Sequence, residues 1–134
     1  MTGTQVKKLY EDTTDKFTVY KCAVGFAGDK LYVSSNSHHK LLTLASDGTV
    51  MSELSDPALQ HPHTVHVTTY GQVIVCGHTS NSVIQADSKG KKKIASLLTQ
   101  EGGVVKPSSV CYRQNTIIVG LLDNDQILVF TIKK

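Results

Sequence analysis

The 134-residue sequence has no tryptophan, three prolines and three cysteines, and little excess of one charge. Each scarcity excludes something. Charged residues are 19% and hydrophobic residues 40%, the balance of a chain that buries a core, not of a disordered segment. No apolar run approaches the roughly 18 residues that cross a bilayer. Met1 to Gln5 also lack the basic-then-apolar pattern of a secretion signal. A soluble, cytoplasmic protein with no membrane partner is therefore expected. Cys22, Cys76 and Cys111 are odd in number, far apart and set in apolar runs. They predict buried reduced thiols, not a disulfide framework or a CxxC metal knuckle. The formal charge of +3 is small for a dedicated nucleic-acid binder.

What is present is an internal repeat. Lys30-Leu31-Tyr32-Val33-Ser34 matches Gln72-Val73-Ile74-Val75-Cys76 at an offset of 42, and the same offset carries Ser46-Asp47-Gly48 onto Ser88-Lys89-Gly90. A third copy, Thr116-Ile117-Ile118-Val119-Gly120, follows at an offset of 44. The next segments stay in step: His39-Lys40-Leu41-Leu42, Asn81-Ser82-Val83-Ile84 and Asp125-Gln126-Ile127-Leu128. Upstream of each pair stands another β-type stretch, Cys22 to Phe26, Thr64 to Thr68 and Ser109 to Tyr112. A fourth follows the glycine turns, Thr49 to Leu54 and Lys92 to Leu98, with Gly48 and Gly90 supplying the positive φ of a tight hairpin.

Four short antiparallel strands in each repeat make an all-β chain of β-propeller blades, about three of them, at roughly residues 20–61, 62–106 and 107–134. Consecutive apolar residues in Leu31-Tyr32-Val33, Val73-Ile74-Val75 and Ile117-Ile118-Val119 predict strands covered on both faces by neighbouring blades. The third unit stops short of a fourth strand, and residues 5–10 are expected to supply it. Closed propellers usually have four to eight blades. Three blades thus predict half of a six-bladed ring, closed by a homodimer, or part of a longer protein.

The succession of proline, inner strand, Gly-x-Val-x-Val, polar loop, Ile-x-x-x-Asp and Lys-Gly resembles the NHL repeat. Residues 61–67, 71–77 and 81–87 look like successive strands of one such blade. Pro107 to Tyr112 with Ile117 to Gly120 look like the next, and Ile127 to Phe130 like the end of a last blade. The likeness is to the C-terminal propellers of tripartite-motif (TRIM) proteins, the many-membered invertebrate set in particular. It implies a non-catalytic module that recruits a protein partner in the ubiquitin pathway, or alternatively an RNA stem-loop. No RING, B-box or coiled-coil pattern accompanies it, so the chain alone is not expected to transfer ubiquitin.

Chemistry has few candidates, and no enzyme or cofactor is expected. His61, His63 and His66 cluster, and His61 and His63 would share a strand face, but no Cys or acidic residue stands beside them at metal spacing. A third alternative, a fragment of a calcium-dependent propeller hydrolase, needs carboxylates on the inner strands, where Val24, Val65, Val67 and Val110 stand instead. Asp123-Asn124-Asp125 reads as a hairpin tip, and Gly102-Gly103 has no helix after it to hold a phosphate.

Surface remains. Loops on a rigid scaffold carry binding residues, and residues 34–40, 77–82 and 121–126 occupy equivalent places in the three units. The candidate binding rim is therefore His38, His39, Lys40, His78, Asn81, Asp123 and Asn124. A candidate basic patch for RNA is Lys89, Lys91, Lys92 and Lys93.

Overall fold

The computed structural model describes residues 2–5, 7–12, 18–25, 27–123 and 125–132. Blade 1 is β1 (Lys21–Val24), β2 (Lys30–Ser35), β3 (Lys40–Ala45) and β4 (Val50–Leu54). Blade 2 is β5 (Pro62–Val67), β6 (Val73–Gly77), β7 (Ser82–Ala86) and β8 (Lys93–Leu98). Blade 3 is β9 (Pro107–Arg113), β10 (Thr116–Leu121) and β11 (Gln126–Thr131). Each sheet is an antiparallel meander in chain order. Among the described residues the one helical element is a 3-10 turn at Gln100–Gly102. The fold is all-β, with about three propeller blades, as the repeat predicts.

The glycine turns form as their chemistry requires. Gly48 and Gly90 adopt φ of 91° and 69°, and each donates its amide to the carbonyl three residues back, Ala45 and Asp87. The Asp47 carboxylate accepts the Thr49 amide at 3.0 Å, which holds its pKa below the ordinary carboxylate value. The Asp87 carboxylate accepts the Lys91 amide at 2.8 Å.

Strand alternation joins the blades. On β6, Val73 and Val75 enter one core with Tyr32, Leu41 and Leu54 of blade 1. Ile74 and Cys76, on the other face, enter a second core with Val110, Ile117 and Val119 of blade 3. A consecutive apolar run is thus buried from both sides. Leu41, Ile74, Val83, Ile84 and Ile117 have no solvent exposure, and truncating such a leucine or isoleucine to alanine costs about 2–5 kcal/mol.

Blade 3 departs from that expectation. Its Ile117, Val119 and Leu121 are buried against blade 2, but Ile118, Ile127 and Val129 are 42%, 74% and 64% exposed. The reason is that no described blade stands beyond it. Residues 5–10, expected to complete this blade, form no strand among those described. Tyr10 instead packs on Val33, Leu42 and Leu44 of blade 1, an apolar face that would otherwise meet water, and the Leu9 carbonyl lies against Gly48.

The thiols need a correction as well. Cys76 is buried, but Cys22 and Cys111 are exposed. Cys111 pairs with Ile118 and so shares the open face of blade 3. Cys22 pairs with Val33, on the face of β1 opposite Ala23, which packs on the core between blades 1 and 2.

Candidate binding rim

In a four-strand meander, the β2–β3 type loops and the segments between blades meet at one end of the molecule. The equivalent loops hold residues 36–39, 78–81 and 122–125. His39, Asn81 and Asp125 stand at the same place in the three units, and all three take positive φ, at 56°, 53° and 50°. Left-handed backbone outside glycine favours Asn, Asp and His, and these are the residues found there.

The same loops latch neighbouring blades together. His39 Nδ1 accepts the amide of His61 at 3.0 Å, so that nitrogen carries no proton. Asn81 Oδ1 accepts the amide of Lys106 at 2.9 Å. His61 and Lys106 are the residues before Pro62 and Pro107, and both are left-handed themselves, at 47° and 49°. A second bond accompanies each: Asn36 Nδ2 donates to the Pro62 carbonyl at 3.1 Å, and His78 Nδ1 lies 3.2 Å from the Pro107 carbonyl. Two side chains of one blade thus grip the first residues of the next, twice over. In blade 3 the latch positions are Leu122, which is exposed, and Asp125.

The histidines pair. His39 meets His61 edge-on, with ring centroids 4.2 Å apart. His63 stacks on His78 at 4.1 Å and 13°, with Tyr20 at 5.0 Å on another side. Burial, then the neighbouring His78, Lys21 and His61, lowers the His63 pKa from 6.5 to about 4. Burial and then His39 and His78 lower that of His61, which also bonds Thr79 Oγ1 at 2.9 Å. His61 and His63 therefore diverge to different partners instead of converging. Among the described residues no group of three or more His, Cys, Asp or Glu is placed to hold a metal ion.

Of the sequence-predicted rim residues, His39, His78 and Asn81 are joined to neighbouring blades. Lys40 pairs with Glu53 at 3.4 Å and Asp123 with Lys106 at 2.9 Å, both on the surface. His38 is exposed. It borders an open cleft with His39, Asp56, Pro57 and Gln60. Asn124 lies outside the described residues. Sequence reasoning missed the partners, His61 and Lys106; the signal was a residue followed by proline at the start of the second and third units.

The lysine patch occupies the opposite end, at the β7–β8 turn. Lys89 and Lys91 border a cleft of about 280 Å³ with Lys30, Met51 and Ser52 of blade 1. Lys93 reaches Asp56 at 3.5 Å. The turn itself is held to blade 1, with the Tyr32 hydroxyl donating to the Ser88 carbonyl at 2.6 Å and Ser52 Oγ to the Lys89 carbonyl at 2.7 Å.

No family model matches the chain, and no curated protein does. Among solved structures it is similar to hydrazine synthase of Kuenenia stuttgartiensis, at a TM-score of 0.73 and 23% identity, over 98% of this chain and 36% of that one. Virginiamycin B lyase from Staphylococcus aureus gives 0.62 and 16%, over 91% and 44%. The Cps50 (Swd1) β-propeller domain of Myceliophteria thermophila gives 0.65 and 10%, over 84% and 39%. At these identities the likeness is one of fold. The chain spans less than half the length of each.

Proposed function

We propose that this chain is a non-catalytic propeller module that recruits a protein partner on the rim of His38, Lys40 and Asp123, in the manner of the TRIM propellers its repeats resemble. The observation that carries the reading is the double latch. The rim loops of blades 1 and 2 are fixed to the next blade by His39, His78 and Asn81, which leaves His38 projecting from a rigid base. Rigid loops lose little entropy on binding. The rings of His39, His66 and His78 are bonded to backbone and that of His61 to the Thr79 hydroxyl, which favours binding over catalysis. Affinity capture from cell extract tests this with the wild-type chain against a His38→Glu, Asp123→Lys double variant. A partner held by the first and lost from the second supports the rim. Equal capture by both overturns it.

RNA binding is the second reading. It is favoured by the convergence of Lys30, Lys89 and Lys91 around one cleft. Phosphate contacts make affinity fall steeply with salt. Titration of a labelled RNA stem-loop at two salt concentrations checks it, and undetectable or salt-independent binding removes it.

A further inference from the structure

We infer that the bare face of blade 3 docks blade 1 of a second copy of this chain, and that the N-terminal strap carrying Tyr10 holds the receiving face of blade 1 shut. The inference rests on the binding-module reading and deepens it by naming one partner for the exposed face of blade 3.

The repeat itself defines both surfaces. Tyr32, Ile74 and Ile118 are equivalent positions, as are Leu41, Val83 and Ile127. The first two of each set are buried against the following blade, and the third of each is exposed. Cys111, Ile118 and Val129 lie side by side across the three strands of blade 3, and Leu122 extends the patch. This is the same surface that blades 1 and 2 bury within the chain. It ends at Asp125, whose counterparts His39 and Asn81 each accept an amide from the next blade.

The complementary surface is also on this chain. Blade 2 receives blade 1 through Val73, Val75, Ile84 and Ala86. The equivalents on blade 1 are Leu31, Val33, Leu42 and Leu44, and Tyr10 packs on them. The receiving face is thus present, apolar and occupied by a segment that is not a strand. That segment fits loosely: a cavity of about 160 Å³ lies between Tyr10 and Asp12 on one side and Ser35, Leu42 and Glu53 on the other. Ser35 Oγ, in its wall, is buried without a hydrogen-bond partner, a condition that destabilises the strapped state. Blade 3 of one copy seated on blade 1 of the other, and the reverse, gives six blades, within the range of closed propellers.

Light scattering after size exclusion tests this on the 134-residue chain at equal concentration: wild type, Tyr10→Asp, Ile127→Lys and the double variant. Tyr10→Asp releases the strap and is expected to form a discrete dimer, with dissociation at least about tenfold weaker than in wild type. Adding Ile127→Lys is expected to return it to monomer. Alkylation of Cys111 should slow in the dimer and recover in the double variant. Circular dichroism confirms that each variant keeps its strands, and Tyr10→Ser replaces Tyr10→Asp if the latter unfolds. A released-strap variant that stays monomeric, aggregates without a discrete mass, or dimerises regardless of Ile127→Lys overturns the inference. A rim partner captured by a strictly monomeric chain would leave the binding-module reading standing and remove only this one.

Discussion

The imidazole of His63 lies flat on that of His78, ring centroids 4.1 Å apart and planes 13° from parallel. A second proton placed between two such rings meets both desolvation and repulsion, which is why the His63 pKa drops to about 4. In the unfolded chain the same group takes its proton near 6.5. Between those values the unfolded state binds more protons, so stability is full above pH 6.5, falls as pH drops toward 4, and levels off below. The ring is partly solvated, so the loss from this group is about 1 kcal/mol, well under that of a fully buried imidazole. Urea unfolding across this window should show the decline, and His63→Phe should flatten it. An unchanged slope in His63→Phe would assign the pH dependence to other groups.

The blades were legible in the sequence because the strand pairs repeat, the first two with their turn glycines, and Val73 to Cys76 announces burial on both faces without any partner being known. What the repeat could not disclose was cover. Ile118 holds the repeat position of Ile74 in a similarly apolar run, yet one is exposed and the other buried, because burial depends on whether a further blade stands beside it. Cys111 was misread as buried for the same reason. The rim was legible as a set of loops, but the role of His39 and Asn81 was not. Their partners are backbone amides at His61 and Lys106, and a side chain's bond to distant backbone leaves no mark in residue spacing.

Gly90 is a position where the junction of blades 1 and 2 is sensitive to a single methyl group. Its φ is 69°, and a Cβ there would collide with Thr43 of blade 1. Gly28 is also left-handed, at 77°, but a Cβ there meets nothing. Gly28→Ala should therefore cost about 1 kcal/mol, the backbone strain alone. Gly90→Ala should cost about 1–3 kcal/mol more, for overpacking. Thermal unfolding of the two variants separates the terms, and equal losses would mean that the turn is free to lift from Thr43.

The latch at Asn81 yields a graded series. Asn81→Ala removes the acceptor of the Lys106 amide and places a Cβ-bearing residue with no polar side chain at φ 53°. Together these should cost about 1–3 kcal/mol. Asn81→Gly relieves the backbone but not the lost bond, and should fall between alanine and wild type. Asn81→Asp keeps an acceptor and should stay near wild type in urea titration. Should aspartate prove as damaging as alanine, the hydrogen bond would not be what joins the blades.

The three thiols should differ in reactivity by location alone. Cys22 and Cys111 are exposed, and Cys76 is buried in the core between blades 2 and 3. Burial raises the Cys76 thiol to about 12, so almost none of it is the reactive thiolate at neutral pH. A disulfide reagent added to the native chain should thus modify two thiols promptly and the third only at the rate of unfolding. Dilute urea should accelerate only that third reaction, because it opens the core without altering groups already exposed. Release of all three at one rate would mean that the core around Cys76 opens freely, and the packing of blade 2 on blade 3 would have to be reconsidered.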